Sequence, residues 1–401
     1  MSVAGAIDAS VAAPSYRPDV YGRSALLDPY PHYRAIRDLG SAVWLPRRRM
    51  YAVARYDDVK TALRADQTLV SGKGVAANRV VNGMHAPITL TSDGDVHMRR
   101  RAALIKPLSP AALKELQQRM ETTAEELVER LLKRDGFDAV SDFATTLPVS
   151  IVGELVGLKP EGRKNLLRWA AATFDALGPL NWRFARALPW LLDLRKYATG
   201  LNRNSVEPGS WADGVFEAAA KGQLSEEEAK AMIIDYVAPS LDTTILASGF
   251  MLWALAQNPD QFAALKQDAS LITNAVHESV RVSSPIRGFT RFAAADFEIG
   301  GTVVPKDARV LVLFASANHD ERKYERPDAF DVTRVARDHV GWGHGAHTCA
   351  GMHLARLEME CLLRALTRHV TRIETGTPSP LFNNVLQGFQ ALPARFHRAT
   401  T

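Results

Sequence analysis

The sequence predicts a mainly α-helical protein with a minor β portion, folded as one large domain. Three observations support this prediction. Apolar residues recur at helical spacing over long segments, extended segments are few and short, and no Gly/Ser-rich, Pro-rich or low-complexity linker interrupts the chain after about residue 16. We therefore expect a flexible tail over residues 1–16 and a single domain over residues 17–401.

Two segments carry the helical prediction. Residues 110–133 place leucines at helical spacing among charged residues, which is typical of an amphipathic helix. Ser225 and Glu228 have the spacing of a capping box and open a second helix that can run to residue 258. At a rise of 1.5 Å per residue this helix would be about 50 Å long. It is apolar on nearly every face over residues 232–256, so we expect it to be largely buried.

The predicted strands are short. Residues 50–55 are rich in β-forming side chains, and residues 297–304 form a tight hairpin pattern around Gly300-Gly301. Residues 310–314 are apolar throughout and predict a buried strand.

Composition and charge exclude several classes of protein. The 401 residues are 46% hydrophobic and 23% charged, as in ordinary globular proteins, and the two cysteines, Cys349 and Cys361, are too few for a disulfide scaffold. No secretory signal is evident, and the longest strongly apolar stretch, residues 310–315, is far shorter than the ~20 residues that span a membrane. Residues 1–110 hold 16 Lys and Arg against 9 Asp and no Glu, but no nucleic-acid recognition motif accompanies them. We expect a cytoplasmic protein that binds neither nucleic acid nor a membrane.

The segment Trp342-Gly-His-Gly-Ala-His-Thr-Cys-Ala-Gly351 carries the chemistry. Its three glycines permit a sharply bent backbone, and Cys349 stands just before a helical pattern, where a helix N-terminus favours a thiolate. Three interpretations are open for Cys349: an ordinary buried cysteine, a zinc ligand, or the axial ligand of haem iron. A zinc site would need the nearby histidines as partners, which are His344, His347 and His353.

This segment resembles the haem-binding loop of the cytochrome P-450 family of haem-thiolate monooxygenases. The family pattern is Phe-Gly-x-Gly-x-His-x-Cys-x-Gly, and Trp342 in place of Phe is the one departure. The resemblance implies haem b as cofactor, Cys349 as the iron ligand, and Trp342 and Gly343 beside the haem. It also implies the cytochrome P-450 fold, with the long central helix crossing the haem.

Further motifs agree with this resemblance in order and spacing. Glu278 and Arg281 form the only Glu-x-x-Arg of the chain, and the segment 330–334 supplies Arg334. In the family these three side chains form a buried ion-pair network. The resemblance extends from Asp28-Pro-Tyr-Pro31 to the C-terminal strand.

A haem carries two propionates, which require cations or hydrogen-bond donors. His97 and Arg101 are four residues apart and can share one helix face. Arg291 and His347 match the other propionate positions of the family. We expect all four residues to hold the haem.

In the long helix, Asp242 and Thr243 match the acid–alcohol pair with which the family delivers protons to bound oxygen. The residue four before Thr243 is Pro239, which has no N–H and predicts a kink there. A threonine hydroxyl inside a helix often donates to the carbonyl four residues earlier, which also bends the helix.

The resemblance implies a monooxygenase that inserts one oxygen atom of O2 into its substrate. No flavin or nucleotide motif is present, so we expect electrons from a ferredoxin and its reductase, docked on basic residues such as Arg100, Arg337 and Arg356. We expect a monomer. Two alternatives remain: a haem-binding sensor or carrier without oxygen activation, and a haem-thiolate enzyme that uses peroxide or couples substrates oxidatively.

Within the family, the chain looks closest to bacterial enzymes that oxidise para-substituted benzoates. In those enzymes a basic residue and hydroxyls hold the substrate carboxylate, and here the corresponding loop offers Lys73 and Asn78. Asp235, on the long helix, would repel a benzoate unless Arg287 compensates. The rest of the expected pocket is apolar and suits a small aromatic ring, in a hydroxylation or O-demethylation reaction of a substituted benzoate or a neutral methoxyphenol. Its predicted lining residues are Phe174, Leu177, Ala238, Leu241 and Phe289.

Overall fold

The computed structural model of the protein describes residues 13–84 and 87–398. The helices are α1 (Arg23–Leu27), α2 (Tyr30–Leu39), α3 (Tyr56–Arg64), α4 (Arg79–Asn82), α5 (Gly94–Ile105), α6 (Pro110–Leu131), α7 (Thr146–Val156), α8 (Pro160–Arg163), α9 (Leu166–Leu177), α10 (Trp182–Gly200), α11 (Trp211–Ala220), α12 (Glu226–Ser240), α13 (Asp242–Gln257), α14 (Pro259–Gln267), α15 (Ile272–Ser283), α16 (Phe314–Ala317) and α17 (Met352–His369). The strands are β1 (Val43–Leu45), β2 (Met50–Val53), β3 (Leu69–Val70), β4 (Phe137–Asp138), β5 (Phe289–Ala293), β6 (Phe297–Ile299), β7 (Thr302–Val304), β8 (Arg309–Val312), β9 (Arg372–Thr375), β10 (Ser379–Pro380), β11 (Phe389–Ala391) and β12 (Pro393–His397).

Helices dominate the fold, and the mainly α prediction is confirmed. Helix accounts for 54% of the structure and strand for 12%. The predicted helix at 110–133 is α6, the predicted hairpin is the antiparallel pair β6–β7, and the predicted strands at 50–55 and 310–314 are β2 and β8. These last two pair in parallel.

The largest sheet has five strands in the order β1-β2-β8-β5-β3. Its buried side chains, such as Val53 and Val312, pack under α3 and α16. Strand β5 pairs with β8 on one side and with the short β3 on the other. Phe289 and Arg291 both belong to β5. Because β5 pairs with β3, both residues lie near the loop that follows β3.

The main apolar core lies among the helices. Helix α17 packs on α6, and α13 packs on α15 and on a π-helical turn at Ala139–Ala144. Leu252 of α13 and Leu362 of α17 are completely buried in this core. The helix after Cys349 and the helix that carries Thr243 are therefore anchored in one rigid body.

The long central helix is divided into two, contrary to the single helix predicted over residues 225–258. Helix α12 ends at Ser240, Leu241 has φ −99° and ψ −69°, and α13 begins at Asp242. The capping box at its start is present, since Ser225 and Glu228 exchange both hydrogen bonds. The kink predicted at Pro239 is thus a break two residues later, because the proline ring disturbs the turn around it.

The predicted flexible tail over residues 1–16 is wrong for its last residues. The carbonyl of Pro14 accepts the N–H of Trp44, and Tyr16 bonds to Trp44 through its N–H and to His32 through its hydroxyl. These contacts tie the segment to β1. Residues 1–12 lie outside the described part of the chain.

Among the residues that the structure describes, one segment, Ala139–Val156, is long and apolar enough to cross a membrane, with a mean hydropathy of 1.3. Half of it is buried inside the fold. Phe143, Leu147 and Ile151 belong to the main core, which is the ordinary place for such a segment in a folded domain.

Candidate active site

The loop that carries Cys349 is closed by its own backbone. The N–H of Cys349 donates to the carbonyl of Trp342 across 2.8 Å. Gly343 and Gly345 have φ of 71° and 74°, a conformation that other residues rarely adopt. A Cβ on Gly345 would also lie 2.5 Å from the carbonyl oxygen of Leu63, so the loop can approach α3 only with a glycine there.

Cys349 is exposed and stands just before α17, which begins at Met352. The sulfur lies deep in the molecule, which raises the pKa of the thiol, whereas backbone N–H groups of Gly351 and Met352 and the charge of Arg101 act in the opposite direction. Burial outweighs these donors, so the pKa of the thiol is raised overall. The accessible sulfur does not fit the interpretation of an ordinary buried cysteine.

Trp342 is held by two histidines that the sequence analysis did not single out. The indole ring centre lies 4.8 Å from that of His339 and 5.1 Å from that of His277. Burial lowers the pKa of His339 to about 3 and that of His277 to about 4, so both rings are neutral. Trp342 is thus fixed by packing at the start of the Cys349 loop.

The three residues of the predicted ion-pair network lie together. Both oxygens of Glu278 accept hydrogen bonds from Arg281 at 2.8 Å, and one of them also accepts from Arg334 at 3.0 Å. Glu278 and Arg281 are completely buried. Arg281 further donates to the carbonyls of Asn318 and Pro327, so the network ties α15 to the segment before the Cys349 loop.

Three of the four predicted propionate residues form one linked group. The rings of His97 and His347 lie 4.1 Å apart, and His347 is 3.8 Å from a carboxylate oxygen of Asp93. Burial lowers the pKa of Arg291 to about 10, while the charge of Asp93 opposes this change. Asp93 was missed in the sequence, although its place at the start of α5 is where an acid often lies.

Asp93 orients the linked group of His97, His347 and Arg291, and its side chain does not cap α5. Its two oxygens accept the N–H groups of Ser71 and Gly72 at 2.9 and 2.6 Å. Burial would raise the pKa of Asp93, but the bonds from His347, Ser71 and Gly72 outweigh it and lower the pKa. The carboxylate therefore joins the loop after β3 to the group formed by His97, His347 and Arg291.

Arg101, the fourth predicted residue, lies on the side of Cys349. Burial lowers its pKa, and the negative charge of a Cys349 thiolate opposes that change. Its neighbours Arg99 and Arg100 are turned away and bond to Glu228 of α12 at 2.7 and 3.3 Å. Arg100 is therefore not available for a redox partner, contrary to the prediction.

The zinc interpretation finds no support in the geometry. Arg64 donates to Nε2 of His344 across 2.8 Å, and His347 faces Asp93. Within residues 13–84 and 87–398, no three His, Cys, Asp or Glu side chains are grouped so that they could hold a metal ion.

The break between α12 and α13 places Asp242 and Thr243 at the start of a helix. The hydroxyl of Thr243 donates to the carbonyl of Pro239 across 3.1 Å, as expected for a threonine four residues later. One oxygen of Asp242 is buried and has no hydrogen-bond partner, and burial raises the pKa of this carboxyl to about 7.

An apolar cluster adjoins this break. Leu246, one turn after Thr243, packs with Phe174, Val385 and Leu386, and Leu177 and Phe289 pack against them. Three predicted lining residues thus lie together. Leu241 does not join them, because it is completely buried in the main core, and the side chain of Ala238 lies outside the described part of the structure.

Of the predicted carboxylate-binding residues, Asn78 is engaged elsewhere, Arg287 is engaged in part, and Lys73 is exposed. Lys73 lies at the surface. Asn78 donates to the carbonyls of Ala176 and Gly178 and accepts the N–H of Val81. Arg287 donates from one terminal nitrogen to the carbonyl of Leu26, whereas its Nε and its other terminal nitrogen are buried without a hydrogen-bond partner.

The comparisons with known proteins agree with this arrangement of the site. The profile of the Cytochrome P450 family matches residues 212–384. The chain is 36% identical over 381 residues to "Cytochrome p450 CYP199A2" of Rhodopseudomonas palustris, covering 94% of this chain and 92% of that relative. The chain belongs to the cytochrome P450 family. This P450 is also 30% identical to "Cytochrome P450 107B1" of Saccharopolyspora erythraea, over 95% of this chain and 96% of that relative.

Solved structures agree with this P450 over nearly its whole length. CYP108D1 from Novosphingobium aromaticivorans superposes with a TM-score of 0.81 at 25% identity, covering 97% of this chain and 100% of that one. CalO2 superposes with a TM-score of 0.82, also at 25% identity and with the same coverage. The fold prediction is confirmed.

The residues present fit the haem b of this family. An accessible sulfur stands at Cys349, and a buried guanidinium, Arg291, lies in the same region as the paired rings of His97 and His347. A porphyrin with one axial thiolate and two carboxylates needs this donor set. This P450 is accordingly a haem-dependent monooxygenase.

Proposed function

We propose that this P450 inserts one oxygen atom of O2 into a small aromatic substrate, by hydroxylation or by O-demethylation of a methoxy group. The observation that carries the proposal is the apolar cluster of Phe174, Leu246, Val385 and Leu386, which begins one turn after Thr243. A pocket lined by these apolar side chains suits a flat aromatic ring and offers few polar anchors. The resemblance to benzoate-oxidising enzymes supports the same class of substrate.

The haem, when bound through Cys349, supplies the activation of O2 and the transfer of its oxygen atom. We assign the side chains of His97, Arg101, Arg291 and His347 to its propionates, as hydrogen-bond donors or cations. The protein contributes the proton supply. Asp242, with a pKa of about 7, holds or releases a proton near neutral pH, and the hydroxyl of Thr243 can pass it on by rotating away from the Pro239 carbonyl. Both side chains, which stand just after the break at Leu241, are partly exposed.

We further propose that electrons come from a ferredoxin and its reductase, and that the protein acts as a cytoplasmic monomer. Arg337 is exposed and Arg356 is half-exposed, and the charges of both act on His277, which packs on Trp342. They therefore lie on the side of the Cys349 loop. This cationic surface would attract an acidic ferredoxin.

Three measurements on the purified holoenzyme test this proposal. The spectrum of the reduced carbon monoxide complex distinguishes a thiolate from an imidazole ligand. Spectral titration with 4-methoxybenzoate and with guaiacol reports whether an aromatic displaces the water on the iron. Formaldehyde release during turnover with a ferredoxin and its reductase then reports O-demethylation. A nitrogen-ligated iron, or no response to any aromatic, overturns the proposal.

A further inference from the structure

We propose that an arginine cluster, formed by Arg23, Arg183 and Arg287, binds a carboxylate group. These residues come from α1, from α10 and from the segment just before β5. The carboxylate can belong to a free organic acid or to the aromatic substrate. The site itself does not depend on the proposed aromatic oxidation, and only the second source of the carboxylate rests on that proposal.

Arg287 is a buried cation with unused hydrogen-bond donors. Its side chain is only 6% exposed. One terminal nitrogen donates to the carbonyl of Leu26 across 2.6 Å, and the hydroxyl of Tyr33 contacts the guanidinium group. The Nε and the other terminal nitrogen are buried without a hydrogen-bond partner. Because a buried charge without a partner is costly, these two nitrogens indicate a place for an acceptor.

The other two arginines of the cluster lie against one aromatic ring. The guanidinium carbon of Arg183 is 3.6 Å from the ring centre of Phe382, and that of Arg23 is 5.3 Å from the same centre. The Nε of Arg183 is also buried without a partner. Burial lowers the pKa of Arg183, and the positive charges of Arg287 and Arg23 lower it further. The three cations therefore lie close enough to repel one another, and an anion between them would relieve this repulsion.

The protein itself supplies little negative charge to the arginine cluster. The charge of Asp175 acts on Arg183, but this carboxylate also accepts the N–H of Asn384 at 2.8 Å and is shared with the exposed Arg186. Burial raises the pKa of Asp175 to about 6, so it carries a single charge at neutral pH. Burial also raises the pKa of the tyrosines near Arg287, which therefore stay neutral; they are Tyr21, Tyr30 and Tyr33. The cluster keeps an excess of positive charge.

The arginine cluster borders the apolar cluster of the proposed substrate pocket and also reaches the solvent. The N–H of Arg287 donates to the carbonyl of Val385 across 2.9 Å. Arg23 is exposed and Arg183 is partly exposed, so an anion can enter from the solvent. Three residues of the apolar cluster, or packed against it, directly precede residues of this region in the chain: Phe174 before Asp175, Ile286 before Arg287, and Leu381 before Phe382.

These surroundings favour a carboxylate over inorganic phosphate. A guanidinium group presents its donors in a plane that matches the two oxygens of a carboxylate. Phosphate fits a guanidinium group as well, but it carries up to two charges and loses more hydration energy on entering a buried site. An organic acid can also place its apolar part against the Phe382 ring and the neighbouring apolar side chains.

The test measures the binding of four ligands to the haem-loaded enzyme by calorimetry, in a buffer free of carboxylate and phosphate. The ligands are acetate, 4-methoxybenzoate, inorganic phosphate and anisole, which has the methoxy-substituted ring without the carboxylate. The proteins are the wild type, Arg287→Gln and Arg183→Gln. The second variant changes a partly exposed residue and keeps the test available if Arg287→Gln does not fold. Arg195→Gln is the matched control, because it removes the same charge from an exposed position of α10.

We expect the wild type to bind at least one of the two acids more tightly than phosphate. Both cluster variants should weaken the binding of that acid at least about tenfold, since a partly buried cation loses its anion, and Arg195→Gln should leave it unchanged. Haem content equal to that of the wild type shows that each variant is folded. A loss for 4-methoxybenzoate with unchanged binding of anisole assigns the carboxylate to the aromatic substrate, and a loss for acetate alone assigns it to a free acid.

Unchanged binding of both acids in the cluster variants, an equal loss in Arg195→Gln, or tighter binding of phosphate than of either acid overturns the carboxylate site. Failure of the wild type to bind any acid overturns it as well. If neither anisole nor 4-methoxybenzoate changes the haem spectrum of the wild type, the proposed aromatic oxidation is overturned instead, and the acetate titration still decides the site.

Discussion

The hydroxyl of Thr243 donates to the carbonyl of Pro239 across 3.1 Å, at the point where the central helix is broken. The preceding residue, Asp242, has a buried carboxylate oxygen without a hydrogen-bond partner. The pair is thus arranged around a local defect in the helix and not on a regular helical face.

Replacing Thr243 by Ala should leave substrate affinity nearly unchanged and lower the yield of product per NAD(P)H, with the missing electrons found in hydrogen peroxide. The reason is that the variant lacks the hydroxyl that passes the proton. Thr243→Ser keeps the hydroxyl and should stay close to the wild type. Product and peroxide are measured together in the same reaction, and an unchanged product yield in Thr243→Ala would remove this residue from proton delivery.

The activity of the wild type should fall as the pH rises through about 7, because Asp242 has a pKa of about 7 and above it no longer holds a proton to give. Asp242→Asn should lower turnover by at least about tenfold, since a positioned acid typically contributes ~10²-fold or more. Its remaining activity should not follow that pH step. Product formation is measured one pH unit on either side of this pKa, and an identical pH step in Asp242→Asn would contradict the assignment.

A second buried acid should govern stability. Glu358 on α17 is 1% exposed, one of its oxygens has no partner, and burial raises its pKa from 4.5 to about 8. The folded protein therefore keeps this proton while the unfolded chain releases it, so stability is lost as the pH rises from 4.5 towards about 8.

Glu358→Gln should flatten this decline, because glutamine does not titrate. The guanidinium midpoint of the holoenzyme is measured across that pH interval. Glu126→Gln, at an exposed position of α6, is the control and should keep the wild-type slope. The same slope in Glu358→Gln as in the wild type would show that this carboxyl is not the titrating group.

The local motifs of this P450 were predictable from the sequence, and the contacts between distant segments were not. The Cys349 loop is specified within ten residues by glycines and their spacing. The bonds between Asp235 and Thr89 join residues 146 positions apart, and no local pattern indicates them.

Arg287 illustrates the same limit. The sequence predicted that Arg287 could compensate Asp235 if it pointed inward, but a residue's number alone does not give the direction of its side chain. The direction was decided by Tyr33 and Leu26, which belong to helices more than 250 residues earlier in the chain.

Gly345 should tolerate no side chain. Gly345→Ala combines an unfavourable φ of 74° with a Cβ placed 2.5 Å from the Leu63 carbonyl, and we expect loss of haem and a lower thermal midpoint. Gly301→Ala is the matched control, because Gly301 has nearly the same φ, 76°, with no atom within 4 Å of the added Cβ.

The control variant Gly301→Ala should cost only the conformational strain, about 1 kcal/mol. Haem-to-protein ratio and thermal unfolding are compared for both. Equal losses in the two variants would mean that the contact between the Cys349 loop and α3 does not matter for haem retention.

Arg337→Glu should slow reduction of the iron by an acidic ferredoxin about tenfold at low ionic strength, because Arg337 is exposed on the side of Trp342 and a charge reversal there opposes docking. The difference from the wild type should shrink as salt is added, since exposed charges are screened. Arg195→Glu on α10 makes the same change of charge at another exposed site and should have little effect. Stopped-flow reduction is measured for all three proteins over a range of salt concentrations. A rate for Arg337→Glu that equals the wild-type rate at low salt, or one that falls equally in Arg195→Glu, would place the docking surface elsewhere, because net charge alone would then account for the attraction.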